Sequence, residues 1–112
     1  MSNGKLIPSV CIDAVLGDQS IDEALKIVSK AGYSAFEFWC WWEKDLTEVM
    51  RAKDKFDLSI AAFCTKFISL VDPELREDYL RALDESIQTA KHLGCENLIS
   101  QVGDFIPGQS RE

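Results

Sequence analysis

The hydrophobic pattern repeats one order along the chain: a short apolar run, then an amphipathic stretch. Ile7 to Val15 is apolar and rich in β-branched residues, which predicts a first strand. Ser20-Ile21-Asp22-Glu23 has the Ser-x-x-Glu spacing of a capping box, where each end satisfies an orphan amide of the other. Ile21, Leu25, Val28 and Ala31 follow on one helical face, joined by Ala24 and Ile27. Gly32 supplies the left-handed position that ends this helix. Ala35 to Trp41 predicts a second strand, dense in aromatic residues.

The order then recurs. Asp45-Leu46-Thr47-Glu48 is a second capping spacing, and Leu46, Val49, Met50, Lys53 and Phe56 mark a shorter helix. Ser59 to Thr65 predicts a third strand. Asp72-Pro73-Glu74 places an acceptor cap and a first-turn proline before a long helix. Leu75, Tyr79, Leu83, Ile87 and Ala90 carry its apolar stripe until Gly94 stops it, and the Lys91-His92 finish suits the helix dipole. Asn97 to Val102 predicts a fourth strand, and Gly103 to Gln109 a loop. Ser110 reads as the cap of a further helix whose body lies beyond the sequence.

Strands too continuously apolar to be half-exposed, joined by helices, predict a parallel sheet. The fold class is therefore α/β, with the order βαβαβαβ. Two architectures follow: a doubly wound open sheet, or the first four strands of a (βα)₈ TIM barrel. A dinucleotide site wants Gly-x-Gly-x-x-Gly after the first strand, but Ala14-Val15-Leu16-Gly17-Asp18-Gln19 has one glycine, followed by an acid. A flavodoxin-like or receiver-like sheet stays open, although it normally has a fifth strand and a final helix; the other reading makes residues 1–112 a half-barrel domain that stops after its fourth strand.

Composition narrows the partners. With 112 residues, 46% hydrophobic and 28% charged, the chain suits one folded domain. Twelve basic against nineteen acidic side chains leave a net charge of −7, which repels phosphate backbones and argues against nucleic acid. No apolar run approaches the roughly 18 residues that span a bilayer, and no secretory signal opens the chain, so a cytoplasmic location and no membrane partner are expected. Cys11, Cys40, Cys64 and Cys95 form no Cys-x-x-Cys pair and read as free, reduced thiols. The single histidine, His92, is far from any cysteine in sequence, so no zinc spacing exists.

Three segments resemble a known family. Lys30-Ala31-Gly32-Tyr33-Ser34-Ala35-Phe36-Glu37-Phe38-Trp39, then Ala62-Phe63-Cys64-Thr65, then His92-Leu93-Gly94-Cys95-Glu96-Asn97-Leu98 are similar to the N-terminal half of xylose-isomerase-like barrels. Within that superfamily the resemblance is strongest to hydroxypyruvate isomerase and related sugar isomerases and epimerases. It implies a barrel that moves a proton between carbons beside a carbonyl, through an enediolate held by a divalent metal, manganese or magnesium. The family's glutamates and metal ligands come from strands five to eight. No catalytic residue and no metal ligand is therefore assigned to this chain, which by itself should be inactive. A family of abasic-site endonucleases shares the barrel, but it uses histidines on early strands, and this chain has none there.

Strand alternation then selects substrate-facing residues at the carboxyl ends of the strands, where barrel sites lie. The resemblance points Glu37 into the barrel, and Trp39 and Trp41 follow by parity, nearer the mouth. The same parity gives Cys11 and Asp13 on the first strand, Cys64 on the third, and Ile99, Gln101 and Gly103 on the fourth. Glu37, Trp39, Trp41, Gln101, Asp13 and Cys64 are the candidates for binding a small carbohydrate or hydroxy-carbonyl compound. Each also has a plainer reading: Glu37 as a hydrogen-bonded core carboxylate, the tryptophans as packing, Asp13 as a turn cap. Cys11 and Cys64 stand where the closest family members often carry asparagine. The loop Glu43-Lys44-Asp45 reads as a solvated connection and helix cap. Four parallel strands also leave two open edges, so the expected partner is a second copy or a missing C-terminal half. A non-catalytic half-barrel that self-assembles, or pairs with another half-barrel, is the alternative to the enzyme reading.

Overall fold

The computed structural model describes residues 5–103 and 108. Its elements are β1 (Val10–Cys11), α1 (Ile12–Val15), α2 (Ile21–Lys30), β2 (Ala35–Cys40), α3 (Leu46–Lys55), β3 (Ser59–Cys64), α4 (Arg76–Leu93) and β4 (Leu98–Ile99). Single 3₁₀ turns at Trp41–Glu43 and Pro73–Leu75 precede α3 and α4. The strands form one sheet in the order β1-β2-β3-β4, every pair parallel. This is the half-barrel architecture expected from the alternating periods. Ser110 and the rest of 109–112, like 104–107, lie outside the described residues, so the further helix finds no test there.

The helix boundaries follow local chemistry. Ser20 accepts a hydrogen bond from the Glu23 amide at 3.2 Å, and Asp45 accepts from the Thr47 and Glu48 amides. Asp72 caps the Pro73 turn through the Glu74 amide at 3.0 Å. Gly94 ends α4 in the left-handed region, with φ 71°. At the end of α3 no glycine is available, and Asp57 takes that conformation instead, with φ 53°.

One face of the sheet packs on the helices. Phe36, Phe38, Ile60 and Phe63 interdigitate with Leu25 and Val28 of α2, Val49 and Ala52 of α3, and Leu93 of α4. Phe38 stacks on Phe63 at 5.1 Å between ring centroids. Almost all the dry core lies in this layer.

The outer strands are shorter than their apolar runs. β1 pairs only through Val10 and Cys11, with Phe36 and Glu37, and the chain then turns into α1. Beyond Glu37, the edge of β2 is met by a side chain: the Trp39 amide donates to the Asp13 carboxylate at 2.7 Å. Asp13 thus reaches β2 from a short helix rather than from a strand. Likewise β4 pairs only at Leu98 and Ile99, against Phe63 and Cys64.

Candidate functional site

The opposite face of the sheet carries the chemistry. Cys11 stands beside Glu37 in the β1–β2 register, and Glu37 beside Ala62 in the β2–β3 register. The Glu37 carboxylate accepts a hydrogen bond from the Ser9 hydroxyl, 28 residues earlier. Glu37 is therefore half-buried and oriented, on the face away from Phe36 and Phe38. Cys64 is buried on this face at the end of β3.

The register of β2 changes near its carboxyl end. From Glu37 to Cys40 it advances three residues, while β3 advances two, from Ala62 to Cys64. One extra residue in β2 is a bulge, and a bulge shifts the alternation of every later side chain. Trp39 lies within that stretch and is 46% exposed, at the mouth. Trp41 follows it and does not join Glu37, contrary to the parity expectation. It begins the 3₁₀ turn, and its indole N–H donates to the Ser86 hydroxyl of α4 at 2.9 Å. Trp42 instead meets Phe67 edge-on at 5.2 Å.

Asp13 is held from two sides. Its Oδ2 accepts the Trp39 amide, and its Oδ1 accepts the Lys44 ammonium at 2.8 Å. Lys44 also lies over the Phe38 ring at 5.6 Å and is only 15% exposed. The Glu43-Lys44-Asp45 loop is thus not simply solvated; its lysine clamps α1 beside the end of β2. Gln101 lies apart from Glu37, in a cleft of about 690 Å³ with Phe67, Ser69, Leu75, Asp78 and Gly103. Gly103 is required there: a Cβ would come within 2.5 Å of the Ser69 hydroxyl, at φ +118°. His92 is exposed in the last turn of α4, away from these groups.

Comparison with solved structures places this geometry. An AP endonuclease of family 2 from Brucella melitensis superposes with a TM-score of 0.72 and 14% identity, over 83% of this chain and 40% of that one. A protein from Sinorhizobium meliloti 1021 superposes at 0.75 and 22% identity, over 92% of this chain and 38% of that one. A xylose isomerase domain containing protein from Salmonella typhimurium LT2 gives 0.61 and 15% identity, over 85% and 38%. The fold is that of half a TIM barrel, four parallel strands with their helices. The chain spans about two fifths of each of these structures. No family model and no curated protein matches the sequence.

In this half of such a barrel, the donors do not fit a divalent cation. Among the described residues no three histidine, cysteine, aspartate or glutamate side chains are arranged to hold a metal. Both oxygens of Asp13 are already engaged, one by an ammonium group that repels a cation. Burial raises the Cys64 thiol above its ordinary value, reinforced by the neighbouring Cys40 and Cys11 thiols and the Asp13 and Glu37 carboxylates, so it stays protonated near neutrality.

Three contributors escaped the sequence reading. Ser9 and Lys44 act on carboxylates 28 and 31 residues away, a pairing no local pattern announces. Thr65, next to Cys64, has a buried hydroxyl with no hydrogen-bond partner among the described residues. Such a group costs free energy unless something pairs with it. No helix of the described residues is long and apolar enough to cross a membrane.

Proposed function

We propose that this chain is the substrate-facing part of a metal-dependent sugar isomerase or epimerase. Its substrate is a small hydroxy-carbonyl compound of the hydroxypyruvate type. The observation that carries this reading is the oriented Glu37 carboxylate, held by Ser9 on the open face of a xylose-isomerase-like sheet. A carboxylate there can accept a substrate hydroxyl, with Trp39 exposed beside it as an apolar wall. The acid, the base and the manganese or magnesium ligands belong to strands beyond these four. The endonuclease reading is disfavoured by the net charge of −7 and by the lack of histidine on any early strand.

The test uses the 112-residue chain. Hydroxypyruvate should perturb its tryptophan fluorescence saturably, with no turnover in manganese or magnesium. Turnover that survives further purification would overturn the placement of the chemistry. A folded chain that binds no hydroxy-carbonyl compound would overturn the substrate reading itself.

A second reading, a self-assembling half-barrel, is favoured by the open edges of β1 and β4. A twofold axis along the barrel would set β4 of one copy parallel to β1 of another and close both edges. Two Glu37 carboxylates would then approach the axis, a repulsion that needs a proton or a bridging cation. Sedimentation at micromolar concentration decides between the two: a cooperatively melting 12.6 kDa monomer would end the self-assembly reading.

A further inference from the structure

Four cysteines allow six pairings, and the register of the sheet singles out one. Cys40 and Cys64 are direct partners in the β2–β3 ladder. Parallel neighbours lie about 4.8 Å apart with side chains on the same face, inside the roughly 4.4–6.8 Å that a disulfide spans. Cys11 is opposite Glu37 on β1, two strand spacings (about 9.6 Å) from β3, and about 10 Å short of the end of β2. Cys95 precedes β4 at the other end of the sheet, where its thiol donates to the Asn97 carbonyl at 3.3 Å. Neither can reach Cys40 or Cys64 without backbone movement.

We propose that Cys40 and Cys64 are a dithiol site, which a small disulfide of the glutathione type oxidises to a cross-link between the carboxyl ends of β2 and β3. This does not depend on the isomerase reading. Cys40 is the more exposed of the two and attacks first. Its thiolate displaces one glutathione thiolate from the oxidant and forms a mixed disulfide. The Cys64 thiolate then attacks the Cys40 sulfur and expels the second glutathione. Both thiol protons leave with the departing glutathiones, so one dithiol and one oxidised glutathione become one disulfide and two reduced glutathiones.

The surroundings set the pace. Burial, then Glu43 and Asp13, push the Cys40 thiol up, while Lys44 opposes them. Burial, then Cys40, Cys11, Asp13 and Glu37, push the Cys64 thiol up. The thiolate fraction is small at neutral pH, so the cross-link forms slowly there and faster as pH rises. Once formed, it stitches the sheet just before the Trp41–Glu43 turn and changes the tryptophan environment.

The experiment treats the folded chain with oxidised glutathione at mildly alkaline pH, alkylates the remaining thiols and maps tryptic peptides. The expected result is a linked pair of peptides 31–44 and 56–66, a thiol count falling from four to two, and Cys11 and Cys95 alkylated. Dithiothreitol should restore the count and the original tryptophan emission. In Cys40→Ser, Cys64 should stay reduced, because its exposed entry point is gone. Four free thiols at equilibrium, a link through Cys11 or Cys95, or a mixed disulfide at Cys40 that Cys64 never resolves would each overturn the proposal. The same treatment of unfolded chain, which must oxidise, confirms that the reagent is active.

Discussion

Phe38 and Glu37 are neighbours on β2, yet Phe38 is 1% exposed in the driest layer of the molecule and Glu37 stands on the open face. The helix-facing side of the sheet is built from phenylalanine, leucine, valine and isoleucine packed on three helices. The other side presents small or polar groups, Cys11, Glu37, Ala62 and Cys64, with Trp39 at the mouth. One strand therefore divides its work by residue parity: even positions up to the bulge hold the fold, and odd positions are left for chemistry. Substitutions that strike one face and spare the other test that division directly.

The largest effect belongs to the packed face. Phe38 stacks between Phe36 and Phe63 and also carries the Lys44 ammonium over its ring. Phe38→Ala should destabilise the chain by about 3–5 kcal/mol through lost burial and a cavity that rigid neighbours cannot fill. In a domain whose whole stability is of the order of 5–15 kcal/mol, that brings unfolding close to ambient conditions. Urea denaturation followed by circular dichroism reads it. A loss below about 1 kcal/mol would mean the two faces are not energetically distinct.

The Asp13 clamp comes next, because it ties the two faces together at the mouth. Asp13→Asn keeps an acceptor for the Trp39 amide but leaves Lys44, 15% exposed, without its counter-charge. A half-buried ammonium stripped of its partner should cost about 1–3 kcal/mol. Lys44→Met combined with Asp13→Asn should recover part of that loss, because the unpaired charge is gone. If the double variant is as unstable as the sum of the singles, the ion pair contributes nothing and the clamp is only a backbone contact.

How far these contacts were legible in the amino-acid order depends on their range. Ser20, Asp45, Asp72 and Gly94 announced the helix ends, because a cap is a contact within one turn. The direction of Glu37 came from the resemblance, and alternation carried it along the strand, because alternation is local until something interrupts it. The β2–β3 register is interrupted twice, by an extra β3 residue before Ala62 and an extra β2 residue before Cys40, and both interruptions exist only in relation to the neighbouring strand. Nothing within Phe38-Trp39-Cys40-Trp41 marks the second, so Trp41 was expected at the mouth and lies instead against Ser86. The apolar runs 7–15 and 97–102 likewise look like strands throughout, because their length reports burial and β-branching, while ladder length depends on what the neighbouring strand offers.

The smallest stability effect is expected at Glu37, and it separates the two readings of that residue most cleanly. Glu37→Gln removes a charge but retains a carbonyl acceptor for the Ser9 hydroxyl. A hydrogen bond to a charged group is worth roughly 1 kcal/mol more than a neutral one, so stability should fall by no more than about that amount. Hydroxypyruvate binding should weaken about tenfold, since a lost charge-assisted contact to a substrate hydroxyl is worth about 1.4 kcal/mol. Denaturation midpoint and dissociation constant are measured on the same variant. A large drop in stability with binding unchanged would make Glu37 a core carboxylate held for packing. A small drop with weakened binding would place it, as its face of the sheet suggests, among the groups that meet the substrate.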